Sequence, residues 1–159
     1  MSIILEGPDC AGKSTMAKDL ADFYGLDIVK SHMRGPKTLS AYSERLACHD
    51  VILDRCWISD MIYSKYFGQT PIVDEFEDRM LRTVCARRNI PIIVMLPPLE
   101  VIKRRMSARG DEHYDVIAPN IDDIYRDYED YCKSHGDVTV VRDYDPKGLM
   151  SCMFSEKRM

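Results

Sequence analysis

The chain has 159 residues, which suits one domain around one hydrophobic core. With 45% hydrophobic and 30% charged residues it is globular rather than disordered. A formal net charge of −4 excludes a global basic field and argues against a nucleic-acid partner, while leaving room for a local basic patch.

The elements follow in chain order. "SIILE" (2–6) is an apolar run that ends at Gly7-Pro8 and reads as a buried strand. "KSTMAKDLADFYG" (13–25) has near-helical apolar spacing and a C-terminal stop at Gly25. "LDIVKSH" (26–32) is a strand, "MRGPK" (33–37) a loop and "TLSAYSERLACH" (38–49) a modest helix. "DVILD" (50–54) is a second buried strand, ending on an acid, and "WISDMIYSKYFG" (57–68) is helical up to Gly68. In "TPIVDEFEDRMLRTVCARRN" (70–89) the pattern predicts a longer helix, with Thr70 as N-cap and Pro71 at the first helical position. "IPIIVML" (90–96) is a strand and "PPLEVIKRRMSARG" (97–110) a helix rich in arginine toward its end. "DEHYDVIAPN" (111–120) reads as an irregular polar loop, "IDDIYRDYEDYCKSHG" (121–136) as a helix and "DVTVVRDYD" (137–145) as the last strand. Strands alternating with helices predict an α/β fold: a five-stranded parallel sheet with helices on both faces. No linker or internal repeat divides residues 1–159, so a single domain is expected.

Six cysteines occur without a CxxC pair or zinc spacing and read as reduced, mostly buried thiols. The four histidines are scattered and suggest no metal site. "SIILEG" is too short for a signal-peptide core, and no apolar run approaches the roughly 18 residues of a membrane helix. A soluble cytoplasmic protein without a membrane partner is therefore expected, in the host cytoplasm if the source is viral.

"GPDCAGKS" (7–14) matches G-x-x-x-x-G-K-[ST] in full, between a strand and a helix. Glycines let the backbone turn its N–H groups toward phosphate oxygens, and the helix adds its N-terminal partial charge. Lys13 is suited to the outer phosphates and the Ser14 hydroxyl to Mg²⁺. This is the phosphate-binding loop of a P-loop NTPase fold. Its nucleotide contacts are expected on Gly7, Asp9, Cys10, Ala11, Gly12, Lys13, Ser14 and Thr15. Asp54 lies at the edge of the sheet where ligands bind, able to hold Mg²⁺ or to act as a base. Arg55 beside it suits a second phosphate. Arg104, Arg105 and Arg109 form a third cluster, in which 105 and 109 share a helix face. They lead into a lid at about 104–120, as phosphoryl transfer requires. Lys13, Asp54, Arg55, Arg105 and Arg109 are the catalytic candidates, and Arg104 and Arg105 join the nucleotide contacts.

"LEGPDCAGKST" resembles the opening of thymidylate kinases, E-G-x-D-G-x-G-K-S/T. "DRCWISDMIYS" (54–64) is similar to the family's D-R-Y-x-x-S-x-x-A-Y-Q: Asp54, Arg55, Ser59 and Tyr63 match, whereas Cys56, Ile62 and Ser64 depart. "MRGPK" echoes the family's R-E-P through Arg34 and Pro36, and "RRMSARGDEHYD" (104–115) its arginine-bearing lid. The resemblance implies a nucleoside monophosphate kinase that uses ATP and Mg²⁺, with Ser14 and Asp54 at the metal. It implies that Asp9 holds the acceptor's sugar 3′-hydroxyl, that Arg34 and Arg55 hold its phosphate, and that Ser59 and Tyr63 lie near the base. Relatives of this type are often homodimers, and the Met-rich tail suits an interface.

One departure concerns the base. Only residues 37–49 separate the 33–37 loop from the "DVILD" strand, where the family has a longer helical insert with a thymine-stacking aromatic. Tyr42, Arg45 and Trp57 are the substitutes the sequence offers. The compact form resembles small bacteriophage-type enzymes of nucleotide metabolism. The leading expectation is transfer of the ATP γ-phosphate to a deoxypyrimidine 5′-monophosphate. The alternative is a deoxynucleoside kinase, or a kinase of a nucleic-acid hydroxyl, with Asp54 as base. A regulatory ATPase comes last, since no N-K-x-D guanine motif is present.

Overall fold

The computed structural model describes residues 1–30, 38–109 and 114–143. Arg34, the 33–37 loop, lid residues 110–113 and the Met-rich tail lie outside the described residues.

Five short strands form one sheet: β1 (Ile3–Glu6), β2 (Asp27–Lys30), β3 (Val51–Asp54), β4 (Ile92–Met95) and β5 (Val138–Val141). Their order is β2-β3-β1-β4-β5, and every pairing is parallel. β1, β3 and β4 are buried along their whole length, which explains their continuous apolar runs. β2 is an edge strand and largely exposed.

The helices are α1 (Lys13–Tyr24), α2 (Leu39–Ala47), α3 (Trp57–Tyr63), α4 (Glu75–Arg87), α5 (Leu99–Arg109), α6 (Tyr114–Ile117) and α7 (Ile121–Ser134). The connection from β1 runs toward β2, and every other connection runs the opposite way. Right-handed crossovers therefore place α1 on one face and α2, α4 and α7 on the other. Neighbouring connections diverge at β1 and β4. The crevice above the C-terminal ends of these strands is thus the topological switch point, where ligands bind in open α/β sheets.

Three local expectations are corrected. Thr70 does not cap α4. Asp74 does: its carboxylate accepts the Glu77 N–H at 2.8 Å, and Glu77 accepts the Asp74 N–H at 2.9 Å. This reciprocal box satisfies two orphan donors, which the Thr-Pro start could not do. The expected helix 57–68 tightens after Tyr63 into a 3₁₀ turn, Ser64–Phe67, that closes on Gly68 in the left-handed region (φ 63°). The stretch expected as loop is helical from Tyr114 to Ile117 and 3₁₀ from Ala118 to Asn120. Ile117 and Ile121 bury there, and Asn120 bonds back to the Val116 carbonyl at 2.7 Å.

Among the described residues no helix is long and apolar enough to cross a membrane. Of the described cysteines, Cys56 and Cys85 are buried, while Cys48 is exposed.

Candidate active site

β1 ends on Glu6, and the chain turns at once into the loop. A side chain at Gly7 would put its Cβ 2.3 Å from the Met95 carbonyl oxygen, so only glycine lets β1 and β4 approach this closely. Cys10 sits at φ 60°, in the left-handed region that favours the glycine of the thymidylate kinase pattern. A side-chain-bearing residue there carries a strain of roughly 1–2 kcal/mol. Gly12 caps α1 at φ 99° without a side chain, which leaves the first-turn N–H groups for another acceptor.

These groups border a cavity of about 470 Å³ lined by residues 9–15, Asp54, Arg55, Arg105 and Arg109. Lys13 is buried, and its Nζ donates to the carbonyls of Gly7 (2.8 Å) and Pro8 (2.7 Å). Burial, reinforced by the nearby Arg55 charge, pushes its pKa down to about 8. Arg105 reaches the loop from α5, where its guanidinium donates to the Cys10 carbonyl at 3.2 Å. Arg109, one turn on, lines the same cavity. Arg104 is exposed and does not line it, because one residue along a helix turns the side chain about 100° away.

The other wall is made of side chains. Arg55 stands at φ 69°, again left-handed, and pairs with Asp9 at 2.7 Å. It also donates to Ser59 Oγ at 3.0 Å and lies 5.1 Å above the centre of the Tyr63 ring. The Tyr63 hydroxyl donates to Asp9 Oδ2 at 2.9 Å and accepts the Asp9 N–H at 3.0 Å. Burial works against the Asp9 charge, but Arg55, Lys13 and these hydrogen bonds outweigh it and hold its carboxyl below the usual range.

Ser59 and Tyr63 are buried and outside the cavity lining. Their hydroxyls are committed to neighbouring side chains, so both act on the site through Asp9 and Arg55. Two residues of this wall escaped the sequence reading. Glu6 is fully buried: its Oε1 accepts the N–H groups of Cys56 (2.7 Å) and Ser59 (3.3 Å), and its Oε2 accepts the Ser59 hydroxyl. Burial raises its pKa against the pull of Ser59 and Arg55. Tyr128, from α7, bonds Ser59 Oγ at 2.9 Å. An acid closing an apolar strand, as in "SIILE", was the available signal for Glu6. Tyr128 lay within the apolar stripe of α7 and gave none.

Two of the proposed base-stacking substitutes are corrected. Trp57 is fully buried, and its indole N–H donates to the buried Asp78 at 2.7 Å. Tyr42 is 2% exposed. Neither ring has a face free for a ligand; Arg45 lies over the Tyr42 ring at 5.6 Å.

Ser14 and Asp54 line the same cavity, and no side chain among the described residues hydrogen-bonds the Asp54 carboxylate. One hydroxyl and one carboxylate are the hard oxygen donors that fit Mg²⁺, which keeps several waters and shares phosphate oxygens. Among the described residues no group of three or more His, Cys, Asp or Glu is placed to hold a metal. The site thus fits a metal brought with a polyphosphate better than one caged by protein.

No family model matches the chain. It is 32% identical over 140 residues to the SPbeta prophage-derived protein YorR of Bacillus subtilis (strain 168), covering 84% of this chain and 83% of that one. The crystal structure of YorR in complex with phosphorylated GDP superposes with a TM-score of 0.80 at 24% identity, covering 100% of this chain and 99% of the other. Deoxyadenosine kinase from M. mycoides with bound dATP superposes with a TM-score of 0.66 at 18% identity over the full length of both chains. The structural likenesses establish the fold, an α/β fold shared with P-loop kinases.

Proposed function

We propose that this chain, which belongs to the family of the SPbeta prophage-derived protein YorR, is an ATP-dependent kinase that phosphorylates a deoxypyrimidine 5′-monophosphate. The carrying observation is that one cavity is lined both by a complete phosphate-binding loop and by Arg55, with Asp9 between them. The loop N–H groups and Lys13 take the donor's phosphates. Arg55 offers a planar fork to the acceptor's phosphate, and Asp9 offers a carboxylate oxygen to a sugar hydroxyl. Arg105 and Arg109 are placed to neutralise charge on the group in transfer. Ser14 and Asp54 would hold Mg²⁺, whose chemistry is to neutralise the phosphate charges and orient them. An acceptor phosphate is already ionised near pH 7, so positioning and charge neutralisation suffice. The complex of YorR with phosphorylated GDP supports nucleotide phosphates as ligands of this family.

A second reading, a deoxynucleoside kinase, is favoured by Asp54. Its carboxylate borders the cavity without a hydrogen-bonding side chain among the described residues, as a base for a neutral hydroxyl would. The deoxyadenosine kinase with bound dATP supports the same reading.

One assay tests both. The protein is incubated with ATP, Mg²⁺ and a panel of deoxynucleosides, ribonucleosides and their 5′-monophosphates, and ADP release is followed. Release that depends on a deoxypyrimidine monophosphate is the expected result. Activity on nucleosides alone would promote the second reading, and the absence of acceptor-dependent release across the whole panel would sink both.

A further inference from the structure

Arg55 combines an unfavourable backbone with a demanding position. A non-glycine residue at φ 69° persists only when its surroundings over-determine it, and such residues cluster at functional sites. Here the Arg55 N–H is held by the Leu5 carbonyl at 2.9 Å. The next N–H, that of Cys56, is held by Glu6 Oε1 at 2.7 Å, and Oε1 also takes the Ser59 N–H at 3.3 Å. Glu6 therefore caps α3 from a neighbouring strand, doing what the Cys56 side chain at the N-cap does not.

The second carboxylate oxygen acts on the guanidinium. A serine hydroxyl has one proton and two lone pairs. Ser59 gives its proton to Glu6 Oε2, which turns its lone pairs toward Arg55 Nη1 (3.0 Å) and the Tyr128 hydroxyl (2.9 Å). Arg55 in turn keeps its other nitrogen 2.7 Å from Asp9. One buried acid thus fixes both the backbone turn and the side-chain direction of Arg55, without itself lining the cavity.

We infer that Glu6 is the positioning residue of the acceptor wall: it holds Arg55 in its left-handed turn and orients the Ser59 hydroxyl that receives the guanidinium. This rests on the kinase reading for its kinetic consequence but not for its structural one. Glu6→Gln is the sharpest probe. Its amide oxygen can still accept the two backbone N–H groups and keep the helix cap. Its NH₂ can only donate to Ser59 Oγ, so the serine hydroxyl must reorient and its lone pairs can no longer serve both Arg55 and Tyr128. Ser59→Ala removes the receiving hydroxyl and leaves the Glu6 cap in place.

Both variants are expected to raise the acceptor KM by about tenfold or more, the cost of a buried partner left unsatisfied, while the ATP KM stays within about twofold. The double variant should be no worse than the poorer single one, since both act on the same contact. A merely structural role would lower the melting temperature and leave the two KM values moving together. Crystal structures of the two variants give a readout free of turnover, in which the Arg55 guanidinium should leave Asp9. An unmoved Arg55 together with an unchanged acceptor KM overturns the inference. If the wild type turns over no acceptor, the kinase reading falls and the Arg55 position in the variants still decides this one.

Discussion

The two walls of the cavity hold charge by different means. The wall proposed for the donor is mostly backbone: a loop, a helix N-terminus and one lysine, with Arg105 of α5 reaching across to the loop. The wall proposed for the acceptor is side chain on side chain, with Asp9, Arg55, Ser59, Tyr63, Glu6 and Tyr128 joined in one continuous set of hydrogen bonds. A backbone cradle serves any polyphosphate, because its donors are peptide groups. A side-chain wall is specific, because each partner has a fixed reach and a fixed number of donors. The donor wall should therefore govern whether the protein turns over, and the acceptor wall what it turns over.

The largest test of that contrast is Lys13→Ala. It removes the charge for the outer phosphates and should lower kcat by about 10²–10³-fold or more in the ADP-release assay. An enzyme that keeps most of its turnover without Lys13 would mean that the loop is not the donor site.

Asp54→Asn separates the two acceptor readings. With a monophosphate acceptor no base is needed, and the loss should stay near tenfold through weaker metal binding. A loss of about 10³-fold or more in single-turnover kinetics would assign Asp54 as the base for a hydroxyl.

Asp9→Ala breaks the ion pair with Arg55 and the bond from the Tyr63 hydroxyl to Oδ2, while the backbone N–H at position 9 still donates to Tyr63. It should raise the acceptor KM by about tenfold and abolish discrimination between deoxy and dideoxy acceptors, with the ATP KM nearly unchanged. Equal discrimination in wild type and variant would remove the sugar role from Asp9.

The pH dependence of stability gives a smaller signal. Lys13 has a folded pKa of about 8, below that of an unfolded lysine at roughly 10.4. Between these values the unfolded chain binds more protons, so stability should rise with pH across that window. Lys13→Met should remove the rise in urea titrations at pH 8 and pH 10; a rise that survives would place its origin elsewhere.

The smallest effect is expected at Arg104. Arg104→Ala should change kcat/KM by no more than about twofold, whereas Arg105→Ala, which loses the contact with the loop, should cost at least tenfold. Equal losses would mean that α5 presents a different face during turnover.

The sheet and the loop were legible because they rest on local patterns. A short apolar run bounded by turn residues, such as the one that ends at Gly7-Pro8, reads as a buried strand, and Gly7, Gly12, Lys13 and Ser14 encode a backbone shape by spacing alone. The α4 cap was legible too, as Asp74 three residues before Glu77, but Thr70-Pro71 offered an earlier start that only the structure excludes. What the sequence could not supply is direction and company. Arg104, Arg105 and Arg109 look alike in a string, and the phase of one helix separates them. Trp57 and Tyr42 look free to stack, and burial commits both to the core.

By itself, then, the sequence determined a phosphate-binding loop on an α/β sheet, because backbone conformation follows short-range constraints. The tertiary structure alone decided that Glu6 and Tyr128 join Ser59, Tyr63, Asp9 and Arg55 in one wall. Glu6 comes from β1, Ser59 and Tyr63 from α3 and Tyr128 from α7, and only folding brings them within hydrogen-bonding distance.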